Sequence, residues 1–116
     1  MSLNFLFLDF KNMAWILLCI AGLLEVVWAY FMKVSNGFTQ LVPSILTIIF
    51  MIASFGLLSY AMKTLPLGTA YTVWTGIGAV GSFAVGILIL GEPASAMRMF
   101  AAVLIISGLV LIKLSS

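Results

Sequence analysis

Residues 14–32 read AWILLCIAGLLEVVWAYFM, and this stretch decides the fold. A helix that crosses the hydrocarbon core of a bilayer needs about 20 apolar residues. These nineteen meet that need with a single exception, Glu25. Glu25 is the twelfth of the nineteen, too deep for its short side chain to reach water at either end. A charge at the bilayer centre costs about 2.5–3.5 kcal/mol on insertion scales. Such a residue is expected to face a bundle interior or a wet cavity, and to do a job there.

The rest of the chain agrees with a membrane setting. Of 116 residues, 65% are hydrophobic and 7% are charged. Soluble domains carry about 25% charged residues, so this chain cannot cover a globule with charge. A net charge of +2 is too small and too scattered for a nucleic-acid surface. There is no histidine, and the one cysteine, Cys19, lies in an apolar run. That excludes an intrachain disulfide and a Cys/His metal cluster. Cys19 reads as an inert small hydrophobe. No nucleophile–base pair is present, so the chain is not expected to be an enzyme, and no cofactor is implied.

Four spans qualify by length: about 14–32, 41–62, 69–90 and 97–112. Between them lie KVSNGFTQ, KTLPLG and GEPASA, each with Gly or Pro and a charge near one edge. These are turn and helix-stop signals. Such short links make neighbouring helices antiparallel. The expected architecture is an all-α membrane protein of four transmembrane helices, with residues 13–116 as the membrane domain. Residues 1–12 are expected to form an interfacial extension with Phe5, Phe7 and Phe10 among the headgroups. The positive opening of a secretory signal is missing there.

Orientation follows the Lys/Arg bias of the loops. Lys11, Lys63 and Lys113 fall on one face, and Lys33 and Arg98 on the other. The near balance predicts weak preference, so that copies insert both ways. Four helices are also few to enclose a polar pathway. Together these points predict an antiparallel, dual-topology homodimer in the lipid bilayer.

Helical spacing then gathers neighbours for Glu25. Gly22 and Trp28 lie three residues either side of it, on one face. Gly22 is expected to leave room for the carboxylate, and Trp28 to offer a π surface and an N–H. In the third span Tyr71 and Trp74 also share a face, and in the second Ser54 supplies a mid-helix hydroxyl. Ser54 has two readings, a bond to its own helix backbone or a polar role. Trp15 and Tyr30, near helix ends, are expected in the interfacial belt. Carboxylate, rings and hydroxyls without a deep cation select a cationic guest. A flat, delocalised one that pairs bidentately and stacks fits best. Loss of water favours the protonated form of Glu25, so proton and cation are expected to compete for it.

The run GIGAVG, Gly76 to Gly81, matches the dinucleotide pattern G-x-G-x-x-G. That pattern needs a preceding strand, whereas this one lies inside an apolar helix. Gly78, Ser82 and Gly86 recur every four residues, a stripe that lets helices approach. Gly76, Gly78 and Gly81 also weaken the helix and mark a bend point. In the fourth span the small residues Ala101 and Gly108 share a face and are expected at a dimer contact.

The length, the four spans and the runs GLLEVVWA, NGFTQLVPS, LPLGTAYTVWTGIGAVG and GEP resemble the small multidrug resistance family, over about residues 13–115. EVVWA and MKTLPLGTAYTVWTGIGAVG resemble its guanidinium-exporting subtype; the multidrug subtype tends to carry a smaller residue in place of Trp28. The resemblance implies an antiparallel homodimer of the bacterial inner membrane that exchanges protons for guanidinium ion. It makes Glu25 the site of proton or substrate, and Trp28 a pocket wall that hydrogen-bonds the carboxylate. It also makes Ser54 a member of that network, Tyr71 and Trp74 pocket aromatics, and Gly22 the small residue one turn before the carboxylate. Lys113 matches a family lysine near the end of the last helix. Family members typically begin near Met13, and some pair with a sister chain. The alternatives are a quaternary ammonium/proton antiporter of the same family and a non-transporting scaffold subunit.

Overall fold

The computed structural model describes residues 3–116, with side chains from Phe10 onward. It holds four helices: α1 (Leu3–Val34), α2 (Leu41–Ala61), α3 (Leu67–Leu88) and α4 (Ala96–Leu114). Each is long and apolar enough to cross a membrane. The chain is therefore an all-helical, multi-pass membrane protein. The four spans lie close to those expected, except that the α1 backbone begins at Leu3 and runs unbroken through residues 3–13. The headgroup roles expected of Phe5 and Phe7 lie outside the described residues. Phe10 is exposed.

Local chemistry explains where the helices stop. After α1, Asn36, Gly37 and Phe38 all adopt positive φ, at 52°, 71° and 64°. Buried Ser35 organises this turn: its hydroxyl donates to Met32 O and accepts from Phe38 N, at 2.6 and 3.0 Å. Its carbonyl accepts from Thr39 N and Gln40 N. Pro66, extended at φ −60° and ψ 150°, caps α3. Gly91, at φ +73°, reverses the chain beyond α3, and Ser95 Oγ caps α4 by accepting from Arg98 N at 3.3 Å.

The packing is lopsided. α1 is the central helix, with α2 and α3 laid against it, while α2 and α3 meet through side chains more than through close backbones. The buried core joins Ala14, Trp15, Leu18 and Ala21 of α1 to Leu58 and Ala61 of α2 and to Ala70, Val73 and Trp74 of α3. Trp15 packs into this core and is only 8% exposed. Among the described residues, the α4 backbone approaches α3 alone and no α4 residue is buried. Gly76 makes that approach possible, since a Cβ there would press into Leu109.

Candidate functional site

The site is built on three adjoining helices around Glu25. Gly78 of α3 faces the Glu25 carboxylate so closely that a Cβ on Gly78 would collide with Oε1. Gly81 makes way in the same manner for Val26. Glycines thus let α3 lie along the edge of α1 that bears the acid. Glu25 Oε1 is buried with no hydrogen-bond partner among the described residues. Buried polar atoms are nearly always satisfied, so an oxygen left open marks a place for a guest or a partner.

The room for the carboxylate does not come from Gly22. A Cβ at Gly22 would lie 2.7 Å from Ile77 Cγ2, so this glycine seats an α3 side chain instead. The three-residue spacing correctly places Gly22 on the face of α1 that meets α3, but Gly78 provides the space.

An aromatic series starts at Trp28, one helical turn beyond Glu25. Trp28 meets Phe55 edge-on, with centroids 6.2 Å apart. Phe55 lies 5.6 Å from Trp74, and Trp74 lies 5.5 Å from Tyr71. Three of these four are named by the sequence reading. Phe55 is not, because one apolar residue in a uniformly apolar span gives no signal. Tyr71 and Phe55 are exposed, at 52% and 46%, so the series opens on one face of the chain. Trp28 Nε1 is buried and, like Glu25 Oε1, has no partner among the described residues. The bond between Trp28 and the carboxylate implied by the resemblance is thus not formed within this chain.

Ser54 does not bond its own helix backbone; it bonds across to the two neighbouring helices. Its hydroxyl donates to Ala21 O of α1 at 2.7 Å and accepts from Trp74 Nε1 of α3 at 3.0 Å, with both bonds buried. By the i→i−4 helical pattern, Ala21 O is also the acceptor for the backbone N–H of Glu25. One hydroxyl therefore ties α2 and the α3 indole to the α1 turn that carries the acid. Ser54→Ala leaves Trp74 Nε1 without a partner, while Ala21 O keeps its helical bond. An orphaned donor costs about 1–3 kcal/mol, and interhelical bonds in membranes average nearer 0.6. The variant is expected to lose about 1 kcal/mol of stability and to weaken cation binding, read as the thermal midpoint in detergent and by titration calorimetry. An unchanged midpoint would remove Ser54 as the clamp.

The remaining sequence candidates spread outward. Gly86 seats Glu92, with a Cβ there falling 2.7 Å from its Oε2, and Ser82 lies between Gly78 and Gly86. α3 runs unbroken through Gly76, Gly78 and Gly81. Lys113 is away from Glu25, with Nζ 4.6 Å from the centre of the Trp15 ring. It stands at one end of an apolar groove of about 550 Å³ between α1, α3 and α4, where exposed Cys19 also lies. Gly108 of α4 has nothing close to it.

The family model for Small Multidrug Resistance protein matches residues 13–105. The guanidinium exporters of Citrobacter freundii and Salmonella typhimurium are each 60% identical over 104 residues, which is 90% of this chain and 99% of theirs. The guanidinium exporter of Yersinia pseudotuberculosis is 59% identical over 104 residues, covering 90% of this chain and all of that one.

Proposed function

The chain belongs to the small multidrug resistance family, and from that membership we propose that it exports guanidinium ion across the bacterial inner membrane in exchange for protons. One observation carries the reading: a carboxylate oxygen deep in a membrane span is buried without a partner, seated against Gly78 beside an aromatic series. The names of the similar exporters point to the same guest.

Coupling follows from competition for one group. A protonated Glu25 has no charge to attract a cation, and a bound cation drives the proton off. Guanidinium donates paired N–H bonds to a carboxylate and stacks on rings. Trp28, Trp74 and Tyr71 supply rings, and Trp28 Nε1 a free donor. Gly22 and Ser54 act from behind, by fixing α3 and α2 on α1. Antiport also requires that the empty, deprotonated pocket seldom changes sides, and the glycines of α3 give the helix a place to bend during the change.

The working unit is an antiparallel homodimer. Three features support it: the near-balanced Lys/Arg distribution, the unburied α4 with Ala101 and Gly108 on its surface, and the open face bearing Phe55 and Tyr71. A second Glu25 across the twofold axis would bring two carboxylates to one pocket, where like charges resist joint ionisation.

The test is flux in proteoliposomes under an imposed pH gradient. Guanidinium is expected to move against protons, and a bulky quaternary ammonium ion to compete poorly. Preferential transport of the quaternary ion would make the protein a multidrug exporter, and absence of both fluxes would leave a scaffold. A C-terminal tag is expected on both sides of the membrane; a tag confined to one side would exclude dual topology.

A further inference from the structure

Two of the three acids of the chain, Glu25 and Glu92, lean on the same edge of α3. Gly78 receives the Glu25 carboxylate and Gly86 that of Glu92. Eight residues of helix separate these glycines by about 12 Å, with Ser82 halfway. A cavity of about 150 Å³ follows the outer part of this line, bordered by Val26, Tyr30 and Lys33 of α1, by Ser82, and by Glu92. At about 30 Å³ per molecule, that space suits a few waters. The turn after α3 fixes Glu92 at the outer end: Gly91 reverses the chain, and Glu92 N donates to Gly86 O at 2.9 Å. Arg98 Nη2 of α4 donates to Glu92 Oε1 at 3.3 Å, and both carboxylate oxygens lie within 2.8 Å of where a Cβ on Gly86 would be.

We propose that this furrow is a proton path between water and Glu25, with Glu92 as its outer collector. The idea rests on reading Glu25 as the shared proton and cation site. In each passage the O–H bond of a protonated Glu92 breaks as an O–H bond forms on furrow water. The water and the Ser82 hydroxyl hand a proton on, and it ends on the Glu25 carboxylate. Glu92, left as a carboxylate, is reloaded from the aqueous phase. The return path discharges Glu25 by the same steps reversed. The groups facing Glu92 are Tyr30 and Lys33 from α1 and Arg98 from α4. The two cations among them repel a guest cation, so the cargo takes the ring-lined face and the furrow serves protons. In an antiparallel pair the two furrows face opposite sides of the membrane, and antiport requires that only the furrow on the open side of the pocket conducts.

Proton release on mixing full-length protein with guanidinium can be followed by stopped flow with a pH dye, and guanidinium affinity by calorimetry. Glu92→Gln is expected to slow release about tenfold or more with affinity unchanged. Added formate, a small proton carrier, is expected to restore the rate. Ser82→Val, which fills the furrow without altering charge, is expected to slow release as well, and it carries the test alone if Glu92→Gln does not fold. Wild-type rates in either folded variant would overturn the path. So would a fall in affinity that parallels the fall in rate, since that would make Glu92 structural. If the wild-type protein releases no proton on binding guanidinium, the antiport reading fails instead.

Discussion

Glu25→Gln is expected to reduce guanidinium flux into proteoliposomes to the leak of protein-free vesicles. Glutamine keeps the size of the side chain and its fit against Gly78, but it can neither carry the negative charge nor exchange a proton. Truncating one partner of a buried, hydrogen-bonded charge pair costs about 2–5 kcal/mol. That corresponds to roughly thirty- to several-thousandfold in guanidinium affinity. Folding is not expected to suffer, because Glu25 Oε1 has no hydrogen-bond partner among the described residues for glutamine to lose. Helical content and detergent stability should therefore stay at wild-type values while flux and binding disappear. Flux that survives the substitution would remove Glu25 from the centre of the mechanism.

Gly78→Ala is expected to separate stability from binding. In a helix interior, alanine is favoured over glycine by about 1 kcal/mol. At this position the added methyl collides with the Glu25 carboxylate, which must swing to another rotamer. Overpacking of this kind costs about 1–3 kcal/mol. The two effects largely cancel in the folding equilibrium. They do not cancel in the pocket, because the displaced carboxylate leaves its seat against Gly78. A loss of roughly five- to a hundredfold in guanidinium affinity follows if the overpacking cost falls on binding. Calorimetry of binding and a thermal melt on the same sample check both halves. Wild-type affinity in Gly78→Ala would show that the seat on α3 does not position the acid.

Most of the architecture could be read from the sequence because it depends on sums over long windows. Four apolar stretches of spanning length, broken by turn residues, leave little choice of fold. The acid was equally legible, since one charge in an apolar run stands out. The errors share a cause. Spacing along a helix says which residues share a face, but not which neighbour covers that face. Hence the space beside Glu25 was assigned to Gly22 of its own helix, whereas it comes from Gly78 of another. A mid-helix hydroxyl does not by itself say whether it bonds its own backbone or a neighbour, and Ser54 reaches across to Ala21 O and Trp74 Nε1. Phe55 was invisible because it is one ring in a span where every residue is oily.

The lopsided packing has a consequence for biogenesis. Every residue of the Glu25 site lies before Ile89, and the buried part of the core that supports it comes from the chain up to α3, with Leu109 and Ile112 of α4 packed against its side. All side chains of the pocket half are therefore made before the last span is synthesised. That span then adds Leu109 over Gly76 and keeps most of its surface free to choose a companion.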